Sequence, residues 1–234
     1  MIQKNDWVSV IIPVYNCKRY LGEAIESALA QTYRPIEVIV LDDGSTDGSA
    51  DVAKRFAPLV RYDFQPNSGA GAARNRGVGL AQGSFLAFLD ADDLWAEDKL
   101  TRQMAAFDDD PELAMVFGYV KQFYSPELDE RVKKRIGLPV ETMPGHHVGT
   151  MLIKRDAFLR VGMFETGWQM GEFIDWHARA MELGLKSSML PEIVMKRRIH
   201  MNNMGRRERK HQTDYVRILK VALDRRREKA LREQ

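Results

Sequence analysis

The sequence predicts an α/β fold in which a mostly parallel sheet is flanked by helices. Three observations predict it. Residues 8–14, 36–41 and 85–89 are short apolar runs without alternation, as expected of strands buried on both faces. Segments of helical period separate them at the interval of βαβ crossovers. Polar residues gather where these runs end, the edge at which open α/β sheets bind ligands.

The elements follow in order. Residues 8–14 are rich in β-branched side chains, and Pro13 closes the strand. Tyr20, Leu21, Ala24, Ile25, Ala28 and Leu29 then recur at helical spacing. Residues 36–41 form the second strand and end at Asp42-Asp43-Gly44-Ser45, a turn with helix-start chemistry. Val52, Ala53 and Phe56 stripe a short helix, and residues 60–64 are a third strand. Small residues from Gly69 to Gly77 open a thin helix running to Ala81, so something packs close against it. Residues 85–89 are the fourth strand, 99–107 a helix and 114–117 another buried strand. Pro126, Gly137, Pro139, Pro144 and Gly145 punctuate 122–149, which is expected to be irregular functional cover. A strand at 150–153, helices at 156–161 and 171–183, and a strand at 193–199 complete the body. One long basic helix is expected over 206–234.

The chain has 234 residues, 44% hydrophobic and 29% charged, which suits a globular protein with a sizeable core. Cys17 is its one cysteine, so a disulfide framework and a cysteine metal site are excluded. No signal peptide and no apolar run of about 20 residues is found, so the expected location is cytoplasmic. Charge is uneven: residues 196–234 hold 14 Lys/Arg against 5 Asp/Glu, and the rest holds 21 against 28. The net +2 thus combines an acidic body with a basic tail.

Three strand ends carry ligand-like residues: Pro13-Val14-Tyr15-Asn16, Asp42-Asp43-Gly44-Ser45 and Asp90-Ala91-Asp92-Asp93. In a parallel sheet they lie on one edge and can converge on one ligand. The last group has two readings. Clustered carboxylates suit a hard divalent cation that also takes phosphate oxygens. Asp92 or Asp93 would equally cap a helix starting near Leu94.

These motifs, with Gly71-Ala72-Ala73-Arg74-Asn75-Arg76-Gly77, resemble family 2 glycosyltransferases of the GT-A fold. The resemblance is strong over 8–120, looser over 145–205, and leaves out the punctuated segment and the basic tail. It implies a glycosyltransferase domain at 1–205, with a nucleotide-binding half (1–120) and an acceptor half (121–205), and a basic helical extension at 206–234. It implies inverting transfer from a nucleoside diphosphate sugar, UDP-linked, assisted by Mn²⁺ or Mg²⁺. Pro13, Tyr15 and Asp43 match positions that hold base and ribose, and Asn16 belongs to the same strand end. Arg74 and Asn75 match the nucleotide side. Asp90, Asp92 and Asp93 match the DXD region, and His200, in Arg197-Arg198-Ile199-His200-Met201-Asn202-Asn203, matches a late metal-site histidine. Asp90 and Asp92 are thereby assigned to the nucleotide, and Asp92, Asp93 and His200 to the metal.

Inversion needs a base for the acceptor's proton. In the matching stretch, Gly171-Glu172-Phe173-Ile174-Asp175, Phe173 stands where the family's catalytic Asp is usual. Glu172 and Asp175 are the two candidates, with a salt bridge from Asp175 to Arg179 as the plain alternative. Trp95, Trp168, His146 and His147 read by default as core packing and solvated loop. The acceptor is a glycan, a lipid-linked glycan or a peptide. The tail reads as a packed solvated helix, a peripheral contact with the inner membrane face, or a homodimer helix. Nucleic acid is not expected, since no aromatics interleave its charges. The rival functions are a catalytically silent nucleotide-sugar-binding protein and a nucleotidyltransferase, which lacks support in a lysine- and glycine-rich first loop.

Overall fold

The structure is a computed structural model describing residues 6–137, 141–201, 203 and 213–232. Its first half runs β1 (Val8–Val14), α1 (Lys18–Leu29), β2 (Ile36–Asp42), α2 (Ser49–Lys54), β3 (Val60–Phe64), α3 (Ala70–Leu80), β4 (Phe85–Phe88), β5 (Leu94–Trp95) and α4 (Lys99–Asp109). Then come β6 (Met115–Tyr124), α5 (Glu130–Ile136), β7 (Thr142–Gly145), a 3₁₀ turn at Val148–Thr150, β8 (Leu152–Lys154), α6 (Arg155–Val161), α7 (Glu172–Glu182), β9 (Ser187–Ile199) and α8 (Thr213–Arg232).

One sheet has the order β3-β2-β1-β4-β8-β6-β9-β5, with β7 added on β6. The first four strands are parallel, as their unbroken apolar runs predict. Beyond β4 the sheet is mixed: β8 is antiparallel to β4 and β6, and β6 is parallel to β9. From β1 the chain steps outward to β2 and β3, then crosses back to β4 on the other side of β1. The crevice at the C-terminal ends of β1 and β4 is therefore the switch point where a ligand fits.

Alternate residues of β1 feed two cores. Val8, Val10 and Ile12 pack with Leu21, Ala24 and Ile25 of α1, while Ile11 packs with Ile39, Leu86 and Phe88 on the other face. Burying such side chains contributes about 1.5–3 kcal/mol each. The thinness of α3 has its reason here: a Cβ on Gly77 would stand 2.5 Å from Ile11 Cγ2. A glycine lets the helix rest directly on β1.

The structure corrects three sequence expectations. The segment 122–149 is not irregular throughout, because β6 continues to Tyr124, α5 follows, and β7 pairs back onto 118–121. In α5 no residue is buried, so no apolar stripe marked it; Asp129 Oδ1 caps it by accepting from Val132 N at 2.7 Å. β9 begins at Ser187, with Pro191 absorbed where its register against β6 shifts around Tyr119. After the acids, Leu94 and Trp95 form a strand on β9, and the helix waits until Lys99. The expected tail helix is described from Thr213 to Arg232; 206–212 and 233–234 lie outside the described residues. Among the described residues no helix is long and apolar enough to cross a membrane.

Candidate active site

The first two strand ends lock each other. Asp43 N donates to Val14 O at 2.8 Å. Asn16 adopts φ 49°, a left-handed conformation that Asn tolerates. Its N–H donates to Ser45 Oγ at 3.0 Å, and its Oδ1 accepts from Thr46 N at 2.8 Å. Gly44 is required, since a Cβ there would meet Asn67 N at 2.7 Å. Asp42 is buried and accepts from Ser45 N at 2.7 Å and Tyr62 Oη at 2.9 Å. Burial and that carboxylate push the Tyr62 hydroxyl up to about 12. Asp43 accepts from Gln65 Nε2, Ser68 N and Gly69 N at 2.7–2.9 Å. A carboxylate has about four acceptor positions, so one remains for a ligand's N–H. Tyr15 is exposed beside this edge, and Pro13 is half-buried in β1. Asn75 is placed differently: its amide forms a bonded pair with the Phe164 backbone, accepting at 2.9 Å and donating at 2.8 Å. It thereby pins the loop before α7.

The acids at 90–93 separate into three environments. Asp90 Oδ1 accepts from Arg74 at 2.6 Å. The same buried guanidinium pairs with Glu172, and its Nε is buried without a hydrogen-bond partner. Burial would lift the Asp90 carboxyl, but Arg74 and His147 more than offset it and hold it below its ordinary value. Burial would likewise lower the Arg74 guanidinium, and Asp90 with Glu172 raises it instead. His147 Nδ1 accepts from Gly149 N at 3.0 Å, so a neutral ring carries its proton on Nε2, 3.8 Å from Asp90 Oδ2. Burial holds this imidazole below its ordinary value.

Asp92 Oδ2 meets His200 Nε2 at 2.9 Å and Asn203 Nδ2 at 3.3 Å. Asn203 Oδ1 also accepts from His200 N at 2.7 Å, which fixes the turn carrying the imidazole. Asp93 does not join them, contrary to the sequence assignment. Pairing of β5 with β9 brings Arg198 N to Asp93 Oδ1 at 2.8 Å, leaving the side chain 3% exposed. Burial, then Asp92 and Asp90, raise its carboxyl well above the ordinary range. Arg198 is also structural: its side chain holds Asp92 O and Glu23 and lies over the Tyr20 and Phe123 rings.

Among the described residues no group of three or more His, Cys, Asp or Glu is placed to hold an ion. Of the expected set Asp92, Asp93 and His200, Asp92 and His200 are adjacent, while Asp93 is hydrogen-bonded to Arg198 N. Carboxylate and imidazole suit Mn²⁺ or Mg²⁺ when diphosphate oxygens and water fill the remaining positions. The donor set fits a cation shared with a ligand rather than an all-protein cage.

Glu172 opens α7 after Gly171 at φ 87°, and its side chain is 14% exposed beside Arg74. Phe173 turns into the aromatic core against Trp176 and Phe117. Asp175 faces away from the acids: it is 1% exposed, with Arg179 Nε at 2.9 Å and Arg225 of α8 at 3.1 Å. Although i and i+3 lie only about 60° apart around a helix, Arg179 and Arg225 hold the Asp175 carboxylate while Glu172 pairs with Arg74. The structure thus brings Arg74, Asp90, Glu172 and His147 together and excludes Asp175.

Sequence reasoning left His147 as loop and gave Asn203 no role. The Arg-x-His-x-x-Asn spacing is the signal that would have found Asn203. His146 is exposed beside His177. Trp95 is core: Nε1 donates to Gly149 O at 2.8 Å, and Lys99 Nζ lies 4.2 Å from its ring. Burial holds the Lys99 amine well below its ordinary value. Its neighbour Gln103 donates to Thr150 O at 2.7 Å, so this buried network props the Gly149-Thr150 turn. Trp168 is half-buried, with Arg217 5.4 Å from its ring.

Residues 9–168 match the family model described as Glycosyl transferase family 2. An uncharacterized glycosyltransferase of Rickettsia typhi is 31% identical over 207 residues, covering 82% of this chain and 64% of its own. One from Nostoc is 49% identical over 104 residues, 43% of this chain and 32% of its own. The chain thus spans under two thirds of these relatives. Among solved structures, S. aureus TarS superposes with TM-score 0.69 at 19% identity, covering 92% of this chain and 38% of that one. TarS 1–349 in complex with UDP-GlcNAc gives 0.65 at 22%, covering 85% and 60%. The Pyrobaculum calidifontis mannosyltransferase PcManGT, in complex with GDP-Man and Mn²⁺, gives 0.63 at 22%, covering 86% and 59%.

Proposed function

The chain belongs to glycosyl transferase family 2, and from that premise we propose that it moves a sugar from a UDP-linked donor to an acceptor hydroxyl with inversion. The observation that carries this reading is the Arg74 bridge, one buried guanidinium held by Asp90 on one side and Glu172 on the other. It supports the reading because Asp90 and Glu172 meet one guanidinium at the switch crevice. The UDP-GlcNAc complex of a protein of like fold supports the donor class, and the Mn²⁺ complex of another supports a dication.

In this reading Asp43 takes an N–H of the base through its open acceptor position, and exposed Tyr15 covers the base ring. Asp90 receives the ribose, and Asp92 with His200 would hold the Mn²⁺ or Mg²⁺. That ion, when bound, offsets charge developing on the departing diphosphate. Arg197, whose charge reaches Asp90, adds to the same potential. Glu172 accepts the acceptor's proton as its oxygen attacks the anomeric carbon from the face opposite the leaving group. The acceptor is a glycan, lipid-linked glycan or peptide. Residues 1–205 act as the transferase unit and 206–234 as its extension.

Phe173 keeps a second reading in view, a nucleotide-sugar-binding protein without turnover. One experiment separates them. UDP-sugars are screened with and without Mn²⁺ for thermal stabilisation, and stabilising donors are followed by NMR for hydrolysis and product anomer. The proposal expects Mn²⁺-dependent stabilisation and a product anomer opposite to the donor's. Stabilisation without turnover over donors and acceptors would establish the binding protein. Absence of both would remove the nucleotide-sugar reading.

A further inference from the structure

Helix α8 buries one side against the body. Ile218 and Ala222 are buried, Asp214 accepts from Gln169 N at 3.1 Å, and Arg225 reaches Asp175 and Glu182 of α7. The opposite side carries a second apolar stripe. Val216, Leu219 and Leu223 stand at i, i+3 and i+7 and are 69%, 60% and 53% exposed. Lys220, Arg226 and Arg227 flank the stripe, all exposed. Their ion pairs are loose: Arg226 lies 3.8 Å from Glu182 and Arg227 3.8 Å from Asp224. Residues 213–232 hold 7 Lys/Arg against 3 Asp/Glu.

A helix already anchored by one face has no packing reason to expose three aliphatic side chains on the other. Apolar residues between cations match a bilayer with anionic headgroups, where the chains enter the acyl boundary and the cations meet phosphate. A second copy fits less well, since mating two such faces opposes Lys220, Arg226 and Arg227 with their like. We propose that the outward face of α8 is a docking surface for an anionic lipid bilayer. The location of α8 gives this a functional meaning. A Cβ on Gly171 would meet Ile218 Cδ1 at 2.8 Å, so α8 is in contact with the residue preceding Glu172. A bilayer on the far side of α8 lies roughly one helix diameter, about 10 Å, from that end of α7. On the glycosyl-transfer reading, on which this last step rests, the acceptor is presented at the lipid surface.

The test is co-sedimentation of the full chain, without donor, with vesicles of phosphatidylcholine alone or with added phosphatidylglycerol. Binding to the anionic vesicles only, weakening with salt, is expected. R226Q/R227Q should weaken binding by about fivefold per cation removed, and L219E/L223E should abolish it. Both pairs face solvent, so unchanged melting and donor hydrolysis confirm intact folding. No binding to anionic vesicles, or binding that survives L219E/L223E, overturns the proposal. A dimer by light scattering that L219E/L223E converts to monomer overturns it too and makes the face an interface between copies. Vesicle binding needs no turnover, so its failure is distinct from failure of the glycosyl-transfer reading.

Discussion

Glu172→Gln and Asp175→Asn should separate chemistry from stability in two residues three positions apart. Asp175 is enclosed by Arg179 and Arg225, and removing one partner of a buried pair costs about 3–5 kcal/mol when the other charge is left alone. Here neither cation is left alone. Arg179 keeps Val161 O and Met163 O at 2.9 and 2.8 Å, and Arg225 keeps Glu182 at 3.0 Å. Their side chains are also 17% and 29% exposed, which screens the loss. The expected cost of Asp175→Asn is therefore about 2 kcal/mol, a fall in Tm of roughly 4–8 °C for a chain this long. Its turnover well below the transition should stay within about twofold. Glu172→Gln leaves Arg74 paired with Asp90, so it should melt within about 1 kcal/mol of the wild type. Loss of a general base lowers the rate by about 10²–10⁴-fold, or roughly 3–5 kcal/mol of activation free energy. Scanning calorimetry and initial rates of UDP release, with Mn²⁺ and a donor that the wild type hydrolyses, read both quantities. A large rate loss in Asp175→Asn with unchanged Tm, or full activity in Glu172→Gln, would refute the assignment.

Four further outcomes are expected. Asp92→Asn and His200→Ala should each remove the Mn²⁺-dependent part of UDP stabilisation in a thermal-shift assay, while Asp93→Asn keeps it. Because burial raises the Asp93 carboxyl, ionising it costs stability as pH rises through that value, so Asp93→Asn should grow more stable relative to wild type at high pH. Burial tends to raise the Glu127 carboxyl, but hydrogen bonds from Ser125 and Tyr20 lower it to about 2. Its stabilisation is present above about pH 5 and lost as pH falls through that value, so urea midpoints should show Glu127→Gln costing about 1–2 kcal/mol at pH 7 and less near pH 2. An equal gap at both pH values would contradict this. Gly77→Ala should force α3 off Ile11 and cost about 1–3 kcal/mol in urea unfolding; a neutral result would mean the helix shifts freely.

The first half of the chain was legible because period and composition agree there. Short apolar runs marked β1, β2 and β4, and the stripe of Tyr20, Leu21, Ala24, Ile25 and Ala28 marked α1. The second half was less legible for physical reasons. Pairing with β7 and β9 extends β6 beyond its apolar segment, and no local pattern encodes a partner strand. Helix α5 buries nothing and so lacks periodicity. In the site, the contacts of individual motif residues depend on partners far along the chain. The fate of Asp93 depends on Arg198, 105 positions on, and that of Asp175 on Arg225, 50 positions on. In the tail, Ile218 and Ala222 face the body, whereas Leu219 and Leu223 lie on a different, exposed face.

Arg74 has one charge and two carboxylate creditors. Asp90 follows the end of β4, and Glu172 opens α7. Any event that shifts the guanidinium toward one loosens the other, so the two sides of the crevice respond as one thermodynamic unit. Substitutions at Asp90 and Glu172 should then be non-additive although the residues lie 82 positions apart in sequence. A ligand that draws Asp90 away from the guanidinium would leave it to Glu172 alone, so one side chain ties the strand end to the helix start.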